Sequence, residues 1–222
     1  MTNKARTERR ADALSKERIV EATIELLDAE GEEALTFRAL AARLATGSGA
    51  IYWHIANKQD LLAAATDQVM ARVLDGVVSD AKPEDAIRSL ALGVFDAFSA
   101  HRWAGAQLFR EPWQRAVPRM LEGIGGQLQT LGLPEDTLFN AASTLMHYIF
   151  GLAGQYAAES RVLPRDTTRA AMHETVATRW LQLDPAEFPF VRQVATQLPA
   201  HDEREQFVAG IDLILAGIRS VR

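Results

Sequence analysis

Apolar positions recur along almost the whole chain at spacings of three and four residues and nowhere alternate strictly. That pattern predicts an all-α protein. Ile19, Ala22, Ile24, Leu26 and Leu27 form the apolar side of a first helix, with Ser15 as N-cap and Gly31 as stop. Thr36 caps a short second helix carrying Phe37, Leu40, Ala41 and Leu44, and Ala45-Thr46-Gly47 breaks it. A third short helix covers about 48–55. Asn57 caps a longer fourth through Leu61, Leu62, Ala65, Val69, Val73 and Val77. The break at 79–83 is read as a hinge, dividing the chain into a basic arm (1–15), a helical head (16–79) and a larger helical body (80–222).

In the body, Pro83 opens a helix with Ile87, Leu90, Ala91, Val94, Phe95 and Phe98. Residues 101–118 then read as a broken stretch, and 120–132 as a helix weakened by three interior glycines. Pro134 and Glu135 start a long apolar helix over about 138–158. Residues 160–200 read as turns around one helix near 169–183, and a last helix covers 203–221 with Phe207, Val208, Ile211, Leu213, Ile214, Leu215 and Ile218.

Composition narrows the chemistry. With 48% hydrophobic and 24% charged residues, the 222-residue chain has the makeup of a folded globular protein. The absence of cysteine excludes disulfides, thiolate metal sites and a cysteine nucleophile. Apolar stretches fall short of the ~20 residues a bilayer span needs, and the basic N-terminus is followed by no apolar stretch. The reading is therefore a cytoplasmic protein that does not enter the membrane. No phosphate-binding glycine loop, nucleophile elbow or zinc-binding His-Glu pair occurs, and His54, His101, His147, His173 and His201 lie far apart. Nothing favours an enzyme, a metal or a cofactor.

The net charge of −5 hides its distribution. Residues 1–18 carry six basic against three acidic side chains, whereas 19–33 carry six acids and no base. A basic arm beside a compact domain suits phosphate binding, and equally describes a solvated terminus.

The informative segment is LTFRALAARLATGSGAIYWHIANKQDLL, residues 35–62. Two short helices joined by a glycine-containing turn form a helix-turn-helix. Ser48, Gly49 and Ala50 are small, so the helix backbone can approach a flat surface such as a major-groove floor. Tyr52, His54 and Lys58 then reach phosphate oxygens, and the helix capped by Asn57 offers unpaired N–H groups to another. A purely structural reading stands beside this one. Ile51, Tyr52 and Trp53 would be core residues and Gly49 a helix-crossing contact; Trp53 fits either.

The segment closely resembles the DNA-binding head of the TetR family of transcriptional regulators. The resemblance rests on Leu35-Thr36, Arg38, Leu40-Ala41, Leu44, Gly49, Ile51-Tyr52-Trp53-His54, Asn57-Lys58 and Leu61-Leu62, and covers residues 16–75. Tyr-Trp-His followed by Asn-Lys is most similar to the tetracycline-repressor subgroup. The resemblance implies that Thr36, Arg38, Ser48, Gly49, Ala50, Tyr52, Trp53, His54 and Lys58 face double-stranded DNA. It also implies a homodimer on a palindromic operator, paired through the long apolar helix and the last one. Where the subgroup commonly has Gly-Val-Ser in the turn, this chain has Ala45-Thr46-Gly47; the usual serine cap is missing at 47 and the helix is expected to start at Ser48.

The body resembles the same subgroup in LMHYIFG and FVAGIDLILAGI. The His-Leu-Gly-Thr-Arg-Pro segment through which the tetracycline repressor holds its metal-chelated drug corresponds to Gln107-Leu108-Phe109-Arg110-Glu111-Pro112, where only leucine and proline survive. A tetracycline–magnesium ligand is not expected. The expected site is a largely apolar pocket for a small-molecule effector. Phe95, Phe98, Trp103, Gln107, Phe109, Trp113, Phe150 and Gly151 would line it, and His101 or His147 would supply the polar contact. The expected function is a ligand-responsive regulator, a repressor released from DNA by its effector. Two other readings are a helical-bundle enzyme or carrier and a DNA-binding protein without a ligand.

Overall fold

The computed structural model describes residues 14–76, 81–110, 114–162 and 168–220, with the side chains of 109, 153, 156–162 and 169 left aside. The arm up to residue 13 and residues 79 and 80 of the expected hinge lie outside the described residues. All regular structure among the described residues is helical.

The head is built from α1 (Lys16–Glu30), α2 (Phe37–Arg43), α3 (Ser48–Tyr52) and α4 (Lys58–Asp75), with one 3-10 turn at Glu32–Ala34. Its helices begin where short polar side chains satisfy free N–H groups. Ser15 accepts from the Arg18 N–H, Thr36 from that of Ala39 and Asn57 from that of Asp60. Gly31 ends α1 at φ 82°, a backbone that glycine adopts without strain. The turn after α2 uses the same left-handed region at Ala45, φ 50°, with the Thr46 N–H bonded back to the Ala41 carbonyl. Alanine stands there where a glycine would be unstrained. Leu35, Leu40, Ile51, Leu61 and Leu62 form the fully buried centre of the head.

The body comprises α5 (Pro83–Ala100), α6 (Arg102–Arg110), α7 (Ala116–Thr130), α8 (Glu135–Val162), α9 (Arg169–Leu181), α10 (Pro189–Ala195) and α11 (Glu203–Ser220), with a 3-10 turn at Leu198–Ala200. Every apolar position expected on α5 is buried. One expectation is corrected. Part of the stretch read as broken is the regular helix α6, whose residues 104–108 are all buried, because it packs against α1, α4, α5 and α8. The glycine-containing segment read as a weakened helix is a helix, α7, and it passes close to α5: a Cβ on Gly123 would lie 3.0 Å from Leu90 Cδ1.

Head and body meet through α4 and α5. Their close approach requires glycine at 93, where a Cβ would stand 2.7 Å from Val73 Cγ1. A second close crossing joins α8 to α11, where a Cβ on Gly210 would collide with the Tyr148 hydroxyl; that ring stacks on Phe207, with centroids 5.2 Å apart. No helix among the described residues is long and apolar enough to cross a membrane.

Candidate nucleic-acid interface and body site

The head displays its polar and aromatic residues instead of burying them. Thr36, Arg38, Gly49, Tyr52, Trp53 and His54 are exposed, and Ser48 and Ala50 are half-buried. Helix α3 starts at Ser48 with Gly47 as an N-cap that supplies no side-chain hydrogen bond. Its first N–H groups are left without a capping side chain.

Trp53 is 90% exposed, so it is no core aromatic. Tyr52 is 54% exposed and lies flat on Phe37, with centroids 4.1 Å apart and planes within 2°. Phe37 sets that ring's orientation, a role that its place on the apolar side of α2 did not announce. Only Ile51, fully buried, takes the core part that the structural reading assigned to its neighbours. Gly49 has nothing within 4 Å of a Cβ built on it, so no crossing helix demands glycine there.

Lys58 is placed differently from the expectation. Its Nζ donates to the Glu32 carbonyl at 2.6 Å, which draws the ammonium back toward the turn after α1. The backbone of α4 still begins at this residue, with Asn57 as its cap.

Acids of the run over residues 19–33 also find partners. Glu25 pairs with Arg43 at 3.1 Å, Glu21 with Arg72, and Glu32 takes the Arg110 guanidinium in a bidentate grip, with one contact at 2.7 Å. Asp28 accepts from Trp103 Nε1 at 2.8 Å and lies 2.9 Å from His101 Nδ1. The C-terminal end of α1 is thereby fastened to α6, and the Arg110 guanidinium is held further above its ordinary value by its bond to Glu32. Beside these bonds lies an open cleft of about 940 Å³, bordered by Leu27, Lys58, Ala100, Trp103 and Ala106 among others.

The described residues among those expected around a body pocket are not gathered in that cleft; of them, only Trp103 borders it. Phe95 packs against Phe207 at 5.3 Å, and Phe98 is fully buried in the main core. His101 is engaged with Asp28, while His147 and Gly151 are exposed on α8. Phe150 is half-buried against the core. Trp113 and the Phe109 side chain lie outside the described residues. The expected opening depended on a broken segment, and α6 is regular and enclosed there.

Gln107 is the exception. It is 1% exposed, and both its Nε2 and Oε1 are buried without a hydrogen-bond partner. Gln114, 6% exposed, donates through Nε2 to the Gln107 carbonyl at 3.1 Å, and its Oε1 is also unpartnered. An unsatisfied buried polar group costs about 1–3 kcal/mol. Two residues on, the Ala116 N–H at the start of α7 donates to Asp67 Oδ1 of α4 at 2.9 Å, and burial pushes the Asp67 carboxyl above the ordinary aspartate range. Sequence reading missed Gln114 and Asp67, for no local motif marks either.

Two family models match the chain. Residues 19–65 match "Bacterial regulatory proteins, tetR family", and residues 81–222 match "Tetracyclin repressor-like, C-terminal domain". The chain belongs to the TetR family. A solved structure of the transcriptional regulator SCO7222, a TetR from Streptomyces coelicolor, is 50% identical, with a TM-score of 0.82, covering 94% of this chain and 99% of that one. An HTH-type transcriptional regulator of Saccharopolyspora erythraea is 29% identical over 92% of this chain and 84% of its own length. The tetracycline repressor protein class D of Escherichia coli is 26% identical over 92% of this chain and 88% of its own. The helix-turn-helix of this TetR-family regulator is thus α2 and α3, and the helices from α5 onward are the family's C-terminal domain.

Proposed function

We propose that this regulator binds a palindromic operator as a homodimer, represses from it, and leaves it when a small molecule occupies the body. The observation that carries the DNA part is the exposed group on α2 and α3. A bare, glycine-containing helix start is flanked by Arg38, Tyr52, Trp53 and His54, none of them needed for the head's core. In this reading Arg38 and Ser48 read base edges. Thr36, Tyr52 and His54 hold phosphates, and Trp53 lies against the groove wall. Gly49 and Ala50 permit the approach, and Lys58 contributes its backbone N–H at the start of α4. The arm, 1–15, adds charge that follows the phosphate backbone; the head ends near 79 and the body begins near 80.

Dimerisation is supported by what α8 and α11 leave uncovered. Phe139 is 71% exposed and Leu213 75% exposed, and beside Gly151 and Gly217 a Cβ meets nothing within 4 Å. Pairing these helices with a second copy covers that surface and sets two heads on neighbouring half-sites ~34–36 Å apart.

Competition binding of the full chain against random and selected duplexes tests the reading. A preferred palindrome is expected, with affinity that falls steeply as salt rises. Equal affinity for every duplex at moderate salt overturns it. Sedimentation at micromolar concentration is expected to give twice the 24.4 kDa chain mass; a species of the chain mass overturns the dimer.

A further inference from the structure

Helix α3 is five residues long and starts without a capping side chain, so its own hydrogen bonds hold it only weakly. Ile51 and Tyr52 tie it to the rest of the head in different ways. Ile51 is fully buried, whereas Tyr52 is more than half exposed and lies on the Phe37 ring of α2. Aromatic pairs generally keep their centroids about 4.5–7 Å apart and avoid full overlap. At 4.1 Å, with planes within 2°, these two rings overlap more fully than most.

Phe37 is the better anchored of the two. It is the first residue of α2, directly after Thr36, whose hydroxyl accepts from the Ala39 N–H at 3.0 Å, and its side chain packs against the core. An exposed tyrosine with no such neighbour would move among several rotamers.

We propose that Phe37 is a positioning residue for operator binding: it acts by holding the Tyr52 ring in place before the DNA arrives. The inference rests on the reading in which the Tyr52 hydroxyl meets a phosphate oxygen. The Phe37 side chain has no hydrogen-bonding group and cannot make that contact itself. A side chain that is loose in the free protein must be immobilised on binding, at a cost of roughly two- to tenfold in affinity. The stack removes that cost in advance.

The test uses the full chain and a duplex that it enriches from a random pool, with affinity read by fluorescence anisotropy across a salt series. Phe37→Leu and Phe37→Met keep apolar volume against the core and lose the ring. Each is expected to weaken binding roughly two- to tenfold. Phe37→Tyr keeps the stack and should bind much as the native protein does. Tyr52→Leu should weaken binding at least as far as Phe37→Leu, and the double variant little further, because nothing is left to hold. The tyrosine hydroxyl carries no charge, so the slope of affinity against salt should be native in every variant. Native affinity in Phe37→Leu and Phe37→Met overturns the proposal and leaves the Tyr52 contact standing. So does a fully additive loss in the double variant, or a loss in Phe37→Tyr equal to that in Phe37→Leu. A changed salt slope also overturns it, since the head's cationic contacts would then have moved. If Tyr52→Leu binds as the native protein does, the phosphate contact of Tyr52 falls and the proposal falls with it.

Discussion

The head and the body treat polar side chains in opposite ways. On α2, α3 and the turn after α3, Arg38, Tyr52, Trp53 and His54 stand in solvent over a core of leucine and isoleucine. In the body, Gln107 and Gln114 are sealed inside and unmet. A duplex is a large, charged, outside partner, and a protein meets it by holding long side chains on a stiff backbone at little cost to folding. A polar group sealed in a core instead costs free energy for as long as nothing meets it. The head can therefore change its exposed side chains at little cost to folding, whereas any change at Gln107 or Gln114 acts on the body's core.

The largest effect that should separate the two regions comes from one aromatic in each. Phe98 is fully buried, and Phe98→Ala should lower unfolding free energy by about 3–5 kcal/mol. Trp53→Ala, at a residue 90% exposed, should leave the denaturant midpoint within experimental scatter while weakening operator binding. A marked loss of stability in Trp53→Ala would mean that the head buries this ring after all.

The next effect concerns binding. Arg38→Ala is expected to cost about 1–3 kcal/mol of operator affinity and to relax the preference at one base pair, with thermal unfolding unchanged. Uniform weakening across all duplexes would move Arg38 from the bases to the phosphates.

How much of this was legible in the sequence follows the same division. Ser15, Thr36 and Asn57 act within three residues of themselves, so the head's helix starts could be read directly, as could the buried Ile51. The acidic run over residues 19–33 could not. Its partners Arg43, Arg72 and Arg110 are 18, 51 and 78 residues away from Glu25, Glu21 and Glu32. Helix α6 was misread for the same reason: glycine and proline within 101–118 signal a break locally, yet four other helices close around it. His147 has the composition of a ligand contact and an exposed position on α8, which only the packing of that helix decides.

A smaller, pH-dependent effect probes the link between the regions. The Asp67 carboxyl is raised by burial, against the opposing pull of the Ala116 N–H and of Arg115 and Arg119. The folded protein then holds that proton more tightly than the unfolded chain. The group's contribution is present at low pH and declines as pH climbs from the ordinary aspartate value through the raised one. Asp67→Asn keeps an acceptor for the Ala116 N–H and removes the titration, so the variant should lack that decline in a pH series of thermal midpoints. An unchanged profile would assign the decline to other carboxylates.

The smallest effect belongs to the turn of the helix-turn-helix. Ala45 sits at φ 50°, and the Thr46 N–H closes the end of α2 onto the Ala41 carbonyl. A Cβ in the left-handed region crowds the following carbonyl, at roughly 1–2 kcal/mol. Glycine avoids that crowding but brings a more flexible unfolded chain, which offsets up to about 1 kcal/mol. Ala45→Gly should therefore stabilise the head slightly, by about 1 kcal/mol or less, read as a small rise in denaturant midpoint with an unchanged slope. Because the turn holds α2 and α3 at a fixed angle, sequence preference should stay the same. A destabilised variant would show that the strain is already relieved in the turn. A changed preference would show that alanine at this place tilts α3, which would make the turn itself part of how this regulator chooses its operator.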